Sequence, residues 1–378
     1  LPLENLDQIE IIKGASSVLY GSAALSGVIN IRTRYPDARP LTRFTVQHGV
    51  YSNPRSDSSI YWDKPLQQTN IRFLHSSQIK GWDIVIGGNL LGDDGYKGPE
   101  ITFDDSLGVP LDTNSTGYNP LTEDRFGANA QARFNINLRK RESGIKGLTY
   151  GISTNWQKGE SLNTLIWDHS VTGLYSSYAG GATRTKQLVG TVDPWVEYLS
   201  PSGVRTSFRN RWQHLNNDNN NNQGNRSDVI YSEVQSQKLG AWGVEKMAIT
   251  AGVVHQYTMG EAQLYVGGSE DGINTARNIA GYVQLDQPIG KHFNFSGGAR
   301  YEYFAINGES EGKPVFRAGG NYQAAEETYF RASLGQGFRF PTIAEKFIRT
   351  GLGDLQVYPN LNLRPEFSTS MEVGVKQG

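Results

Sequence analysis

Residues 9–31 read IEIIKGASSVLYGSAALSGVINI. Ile9, Ile11 and Ile12 form a short β-branched run that ends at Gly14. Residues 15–20 suit a helix of one or two turns, and Gly21 stands where a helix C-cap calls for positive φ. Gly27 then precedes Val28, Ile29 and Ile31, a strand of the buried type interrupted only by Asn30. The stretch therefore reads as strand, glycine turn, short helix, glycine turn, strand.

Composition narrows the class around it. The chain has 378 residues, a formal net charge of −1 and no Cys. Near-neutrality argues against a nucleic-acid surface. The absence of Cys removes disulfides, thiolate metal sites and cysteine nucleophiles. No run approaches the ~20 apolar residues of a transmembrane helix. The chain is rich in glycine and aromatics, with 44 Gly, 19 Tyr, 15 Phe and 7 Trp. That balance fits a membrane barrel, in which only alternate residues meet lipid, and it fits a soluble all-β protein equally.

Beyond Tyr35-Pro36 the pattern changes to long alternation. Phe44, Val46 and His48 share one face against Thr45, Gln47 and Gly49. Trp82, Ile84 and Ile86 oppose Asp83, Val85 and Gly87; Tyr150, Ile152, Thr154 and Trp156 oppose Gly151, Ser153, Asn155 and Gln157. The same period holds for Phe330, Ala332 and Leu334 and for Met371, Val373 and Val375. Connections read alternately as long and short along the whole chain. Long ones fall at 51–68, 93–123, 158–184, 216–225, 259–275, 306–313 and 339–367, and this parity predicts an up-and-down barrel with loops outside and turns inside. About fourteen strands are expected. Phe44, Val46, Ile84, Ile86, Phe330, Leu334, Val373 and Val375 are predicted to face lipid, and Arg331, Glu372 and Lys376 the lumen.

The motifs in residues 9–31 resemble the end of the plug of TonB-dependent outer-membrane receptors. The resembling residues are Ile9-Glu10, Lys13-Gly14, Ser17, Tyr20-Gly21, and Gly27-Val28-Ile29-Asn30-Ile31. A second set lies late in the chain: Gly337-Phe338-Arg339-Phe340-Pro341, Ala344-Glu345, Tyr358-Pro359-Asn360-Leu361 and Leu363-Arg364-Pro365-Glu366. It is similar to the late barrel motif of the same family, departing from it at Phe340, at Tyr358 and by the added Asn362-Leu363. The resemblance implies an all-β antiparallel transmembrane β-barrel, here about fourteen of the family's twenty-two strands, with the C-terminal remnant of an α+β plug. Residues 1–35 are expected to be plug and 36–378 barrel. It implies a receptor of the bacterial outer membrane that takes up a scarce ligand, a ferric siderophore as the commonest cargo. Its partners would be outer-membrane lipid, the small ligand, and the TonB complex acting through an N-terminal region preceding Leu1. No nucleic acid, cofactor or enzymatic role is expected. The opening LPLENLDQIE lacks a signal peptide and the ending EVGVKQG lacks a terminal aromatic strand, so the sequence reads as an internal piece. On that reading the strand at Val28–Ile31 lacks most of its plug partners, and Arg32 and Arg34 meet inward carboxylates such as Glu372.

Motifs for enzymes are absent: there is no HExxH, Walker loop, GxSxG or GxGxxG. Residues 342–357 hold no His, which argues against haem. Loop aromatics suit flat, partly polar ligands, and the candidate ligand loop combines Trp167, His169, Tyr175, Tyr178 and Arg184. Asp93, Asp94, Asp104 and Asp105 supply oxygen ligands that suit calcium, although a solvated acidic loop accounts for them as well. The late motif reads as a structural loop clamp, with Glu366 beside Arg364 folding the loop over the strand end. Alternatives to the receptor are a passive porin-like channel, which would carry no plug motif, and a soluble all-β binding protein, which would need no apolar outer face.

Overall fold

The computed structural model describes residues 6–13, 18, 21, 27–55, 60, 65–95, 103–104, 109–110, 129–141, 144–167, 177, 181–352 and 355–378. Two strands open the chain, β1 (Leu6–Lys13) and β2 (Gly27–Thr33). They pair antiparallel with each other, Ile9 opposite Ile31 and Ile11 opposite Ile29. The strand at Val28–Ile31 thus has one partner inside the chain, because the apolar run at its start is itself a strand in register with it.

Fourteen strands follow in one antiparallel sheet. They are β3 (Leu41–Val50), β4 (Gln67–Ile79), β5 (Trp82–Asp93), β8 (Asn129–Lys140), β9 (Leu148–Thr164), β10 (Ala182–Leu199), β11 (Val204–Asn219), β12 (Asn225–Leu239), β13 (Ala248–Ala262), β14 (Ile273–Ile289), β15 (Phe293–Ile306), β16 (Glu309–Ala325), β17 (Thr328–Arg339) and β20 (Glu366–Gln377). Each pairs with its neighbours in sequence order, so every connection is an up-and-down hairpin. Short pairs sit in two loops: β6 (Phe103–Asp104) with β7 (Val109–Pro110), and β18 (Thr350–Leu352) with β19 (Leu355–Val357). One short helix, α1 (Ile343–Phe347), lies in the last long loop.

The alternation predicted from sequence separates the two faces. Phe44, Val46, Phe330, Leu334, Val373 and Val375 are exposed, and cross-strand partners share that face, as Phe330 does with Val375 and Tyr322. The opposite face carries the buried side chains: Asp83, Val85, Asn135, Glu233, Arg300, Glu302 and Val315. Arg331 and Glu372 form an ion pair at 2.5 Å, so Glu372 is engaged within the wall. Arg32 pairs instead with Glu10 on the neighbouring strand, at 3.6 Å. On β17 the alternation fails near the end. Leu334 is exposed, yet Phe338, four residues on, is fully buried. The ladder to β16 stops at Gly335, and the Gln336 side chain accepts from the Phe316 N–H, which frees the last residues to turn inward.

Strict loop parity does not survive. Asn216 and Asn217 continue the β11–β12 ladder opposite Arg226 and Asn225, and Asp218 and Asn219 continue the pairing with β10, leaving residues 220–224 between the two strands. The expected long loop at 306–313 is a two-residue turn at Asn307-Gly308, with φ of 46° and 91°. Both central residues of such a hairpin turn need positive φ, which Asn and Gly supply at least cost. Polar residues there extend the strands instead of ending them, because a ladder bond satisfies the backbone whatever the side chain is.

Candidate functional site

The opening segment is seated against the inner face. Val18 is 1% exposed and packs with Val315, Phe338 and Phe340. A Cβ on Gly298 of β15 would stand 2.9 Å from Val18 Cγ1, so the wall is thinned there to admit it. Gly21 is buried with φ of 78°, and a Cβ would meet the Arg300 Nη2 at 3.0 Å. Both the backbone conformation and the space therefore require glycine.

Beside Gly21 lies a cavity of about 530 Å³ between the inner wall and the last long loop, reached by Tyr231, Asn278, Arg300, Glu302, Phe304 and Ile343. Its polar floor is a buried network. Arg300 Nε donates to Glu302 Oε2 at 2.5 Å, and Asn278 Nδ2 donates to Glu302 Oε1 at 2.6 Å. Outside the cavity lining, Tyr282 Oη donates to Glu233 Oε1 at 2.7 Å and accepts from Gln235 Nε2 at 2.8 Å. Charges this deep are tolerated only when paired and hydrogen-bonded. Arg300 Nη1 is buried with no hydrogen-bond partner among the described residues. The walls are aromatic, with Phe304 stacked on Phe340 at 4.4 Å. Aromatic walls beside a hydrogen-bonded polar floor suit a flat, partly polar ligand.

The late motif builds the roof. Thr342 caps α1, its hydroxyl accepting from the Glu345 N–H while Glu345 accepts from the Thr342 N–H, a reciprocal capping box. Arg339 spans two carboxylates: Nη1 to Glu345 at 2.7 and 2.9 Å, and Nη2 and Nε to Glu366 at 2.7 and 3.2 Å. Burial alone would raise the Glu345 carboxyl, but the Thr342 N–H and the Arg339 guanidinium outweigh it and hold it below the usual carboxylate range. Glu366 is thus clamped by Arg339 and not by Arg364, because the hairpin pairing places Arg339 directly opposite it. Ile343 and Phe347 pack on Ile306, and the loop at 263–272 docks on the roof through Val266 N–H to Phe347 O and Arg349 N–H to Leu264 O. Pro341 lines the cavity; the Asn360 N–H donates to Lys346 O; Pro359 follows β19, and Pro365 immediately precedes β20.

Of the candidate ligand loop, Trp167 bridges to Ser177 at the neck, while His169, Tyr175 and Tyr178 lie outside the described residues. Arg184 is not in the loop. It belongs to β10 and pairs with Glu160 of β9 at 3.0 Å, because both strands run further than the sequence pattern indicated. Gly14, Tyr20 and Asp105 lie outside the described residues, and of Lys13 and Asp104 only the backbone is described. Lys13 ends β1 opposite Gly27, and Asn30 donates to Glu10 at 3.0 Å. Asp93 accepts from the Tyr51 hydroxyl and Gln68, and Asp94 from the Gln67 N–H, so both serve the base of their loop. Among the described residues no group of three or more His, Asp or Glu converges. Sequence reading missed Arg300, Glu302, Asn278, Glu233 and Tyr282. The signal for two of them was present in Ala299-Arg300-Tyr301-Glu302-Tyr303, where charges at every second position mark an inward face.

Residues 28–378 match the family model described as TonB dependent receptor-like, beta-barrel, and residues 1–28 match the TonB-dependent receptor plug domain. The chain belongs to the TonB-dependent receptor family, whose members are receptors and transporters and not enzymes. It is 25% identical over 197 residues to the vitamin B12 transporter BtuB of Photobacterium profundum, covering 43% of this chain and 32% of that protein. The siderophore receptor PirA of Pseudomonas aeruginosa superposes with a TM-score of 0.73 at 12% identity, over 100% of this chain and 60% of PirA. The ferric yersiniabactin uptake receptor FyuA of Yersinia pestis superposes with a TM-score of 0.65 at 14% identity, over 99% and 57%. At those identities the likeness is one of fold. The chain spans about a third of the curated relative's length and about three fifths of these solved structures.

Proposed function

We propose that this chain is part of an outer-membrane receptor that captures a scarce ligand, a ferric siderophore, and imports it when the TonB complex moves the plug. The observation that carries this reading is the seating of Val18 and Gly21 on the inner wall beside a roofed cavity with an aromatic lining and a hydrogen-bonded polar floor. A passive channel needs no segment packed in its lumen. The exposed apolar face of the sheet supports lipid as its surroundings and the bacterial outer membrane as its location. Residues 1–35 act as plug and 36–378 as wall. The ligand contacts the cavity together with the loop bearing Trp167, His169, Tyr175 and Tyr178. The relative named for vitamin B12 transport supports a corrinoid as the second reading.

The test is uptake by the full-length receptor in a host deleted for its own receptors. Radioiron is offered as hydroxamate, catecholate and phenolate chelates, and cobalt-labelled cyanocobalamin in parallel. Energy-dependent uptake of one ferric chelate that stops when TonB is removed supports the proposal. Uptake of cyanocobalamin alone replaces the ligand class. Passage of small sugars without energy input overturns the receptor reading.

A further inference from the structure

The exposed face of the sheet carries a depression of about 890 Å³ that the lumen does not share. Its lining follows the outward alternation across strands: Ile71, Leu90, Ala130 and Ala132 on β4, β5 and β8, then Lys158 on β9 and Lys186 on β10. Leu90 pairs with Ala132, Ala132 with Lys158, and Lys158 with Leu188, so these residues lie on one side of a continuous ladder. The small side chains of Gly92, Ala130 and Ala132 leave a trough between Leu90 and the lysine stems.

Its height is set by the aromatic residues next to it. Trp156 is one outward position from Lys158 and meets Trp212 edge-on at 6.0 Å. Tryptophans on an outward face mark the headgroup level of a membrane. About five outward residues per strand, each rising roughly 5 Å along a strand tilted near 40°, span the ~25 Å apolar band. Counted from the turn at Gly147, those five on β9 are Leu148, Tyr150, Ile152, Thr154 and Trp156, and Lys158 stands just above them. Below the trough the outward face is apolar, with Phe73 and Phe134 exposed. Lys158 and Lys186 are both exposed, and among the described residues neither has a carboxylate within ion-pair distance. Glu160, between them, is taken by Arg184 at 3.0 Å. Asn216 and Asp218 complete the rim.

We infer that this trough binds a phosphorylated glycolipid of the outer leaflet. An acyl chain descends from Leu90 and Ala132 past the exposed Phe134 and Phe73, a phosphate meets Lys158 and Lys186, and sugar hydroxyls reach Asn216 and Asp218. The two lysines stand diagonally across neighbouring strands, ~7–8 Å apart at their bases, and both reach one phosphate group. Asp218 is a hydrogen-bond acceptor and favours a headgroup with several hydroxyl donors, which a sugar supplies in greater number than glycerol. The inference takes its membrane level from the receptor reading, and its test has a separate readout.

The full-length receptor is purified in mild detergent and titrated with bis-phosphorylated lipid A and, separately, with phosphatidylglycerol, with bound lipid counted by native mass spectrometry. The wild type is expected to hold lipid A and to prefer it. Lys158→Gln with Lys186→Gln is expected to bind it about thirtyfold more weakly, the loss of two cations near a charged headgroup. Ala132→Phe, which fills the trough and keeps both charges, is expected to lose it as well. Each variant is checked for unchanged heat-modifiable migration and ligand uptake, so that misfolding and failure of the transport reading register separately. Equal lipid A binding by wild type and both variants, or equal binding of phosphatidylglycerol, overturns the inference.

Discussion

Replacing Arg339 by Ala tests whether the late motif is a roof clamp. The guanidinium makes four N–H···O contacts to Glu345 and Glu366, at 2.7 to 3.2 Å, and its side chain is 30% exposed. The forked pair with Glu345 is partly exposed and contributes up to ~1 kcal/mol, and the fully exposed pair with Glu366 serves to orient the guanidinium. Removal also leaves Glu345 and Glu366 without the cation between them. The capping box keeps α1 itself formed, so the loss falls on docking of the 340–365 loop. The assay is hydrogen exchange on the full receptor, read at amides that exist only when the roof is docked: Val266 to Phe347, Arg349 to Leu264 and Asn360 to Lys346. A loss of about 1 kcal/mol speeds their exchange about 5-fold. Arg339→Lys retains the charge without the fork and should fall between the two. Unchanged exchange at all three amides in Arg339→Ala would refute the clamp and leave the apolar packing of Ile343 and Phe347 as what holds the roof.

Three further outcomes are expected. Gly21→Ala places a Cβ against Arg300 in a left-handed backbone that costs ~1–2 kcal/mol; trypsin cleavage at Arg32 and Arg34 should quicken, whereas Gly203→Ala, with φ of 76° in open space, should leave it unchanged. Glu345 has a carboxyl held below its ordinary value, so its contribution to the roof is complete above the usual Glu range near ~4.3 and is lost as pH falls below that through the lowered value; roof exchange should accelerate only there, and a flat profile down to about pH 3 counts against the pair. Val373→Arg puts a charge on the exposed face and should cost about 2–4 kcal/mol in denaturant unfolding from lipid vesicles, against near zero for Ser370→Arg on the inner face. Equal costs at the two positions would contradict the assignment of faces.

The sequence alone makes legible the strand count, the hairpin order and which face of each strand carries Phe44, Val46, Phe330 or Val375. Those features follow from side chains alternating with a period of two, a local property that a one-dimensional pattern records. It also marked the plug segment and the late motif, because Gly21 and Thr342–Glu345 answer to local backbone conformation. It misplaced Arg184 and the loops at 216–225 and 306–313. Strand ends are set by whether a neighbour continues the ladder, and polar residues such as Asn216 or Glu309 do so above an apolar band as readily as valine. The assembled fold sets Arg339 and not Arg364 against Glu366, and pairs Arg32 with Glu10 and Arg331 with Glu372. It alone brought Gly21 against Arg300, nearly three hundred residues apart, and Lys158 level with Leu90. Such partners are chosen by sheet register and curvature, which depend on every strand at once and leave no trace in the spacing of any one segment.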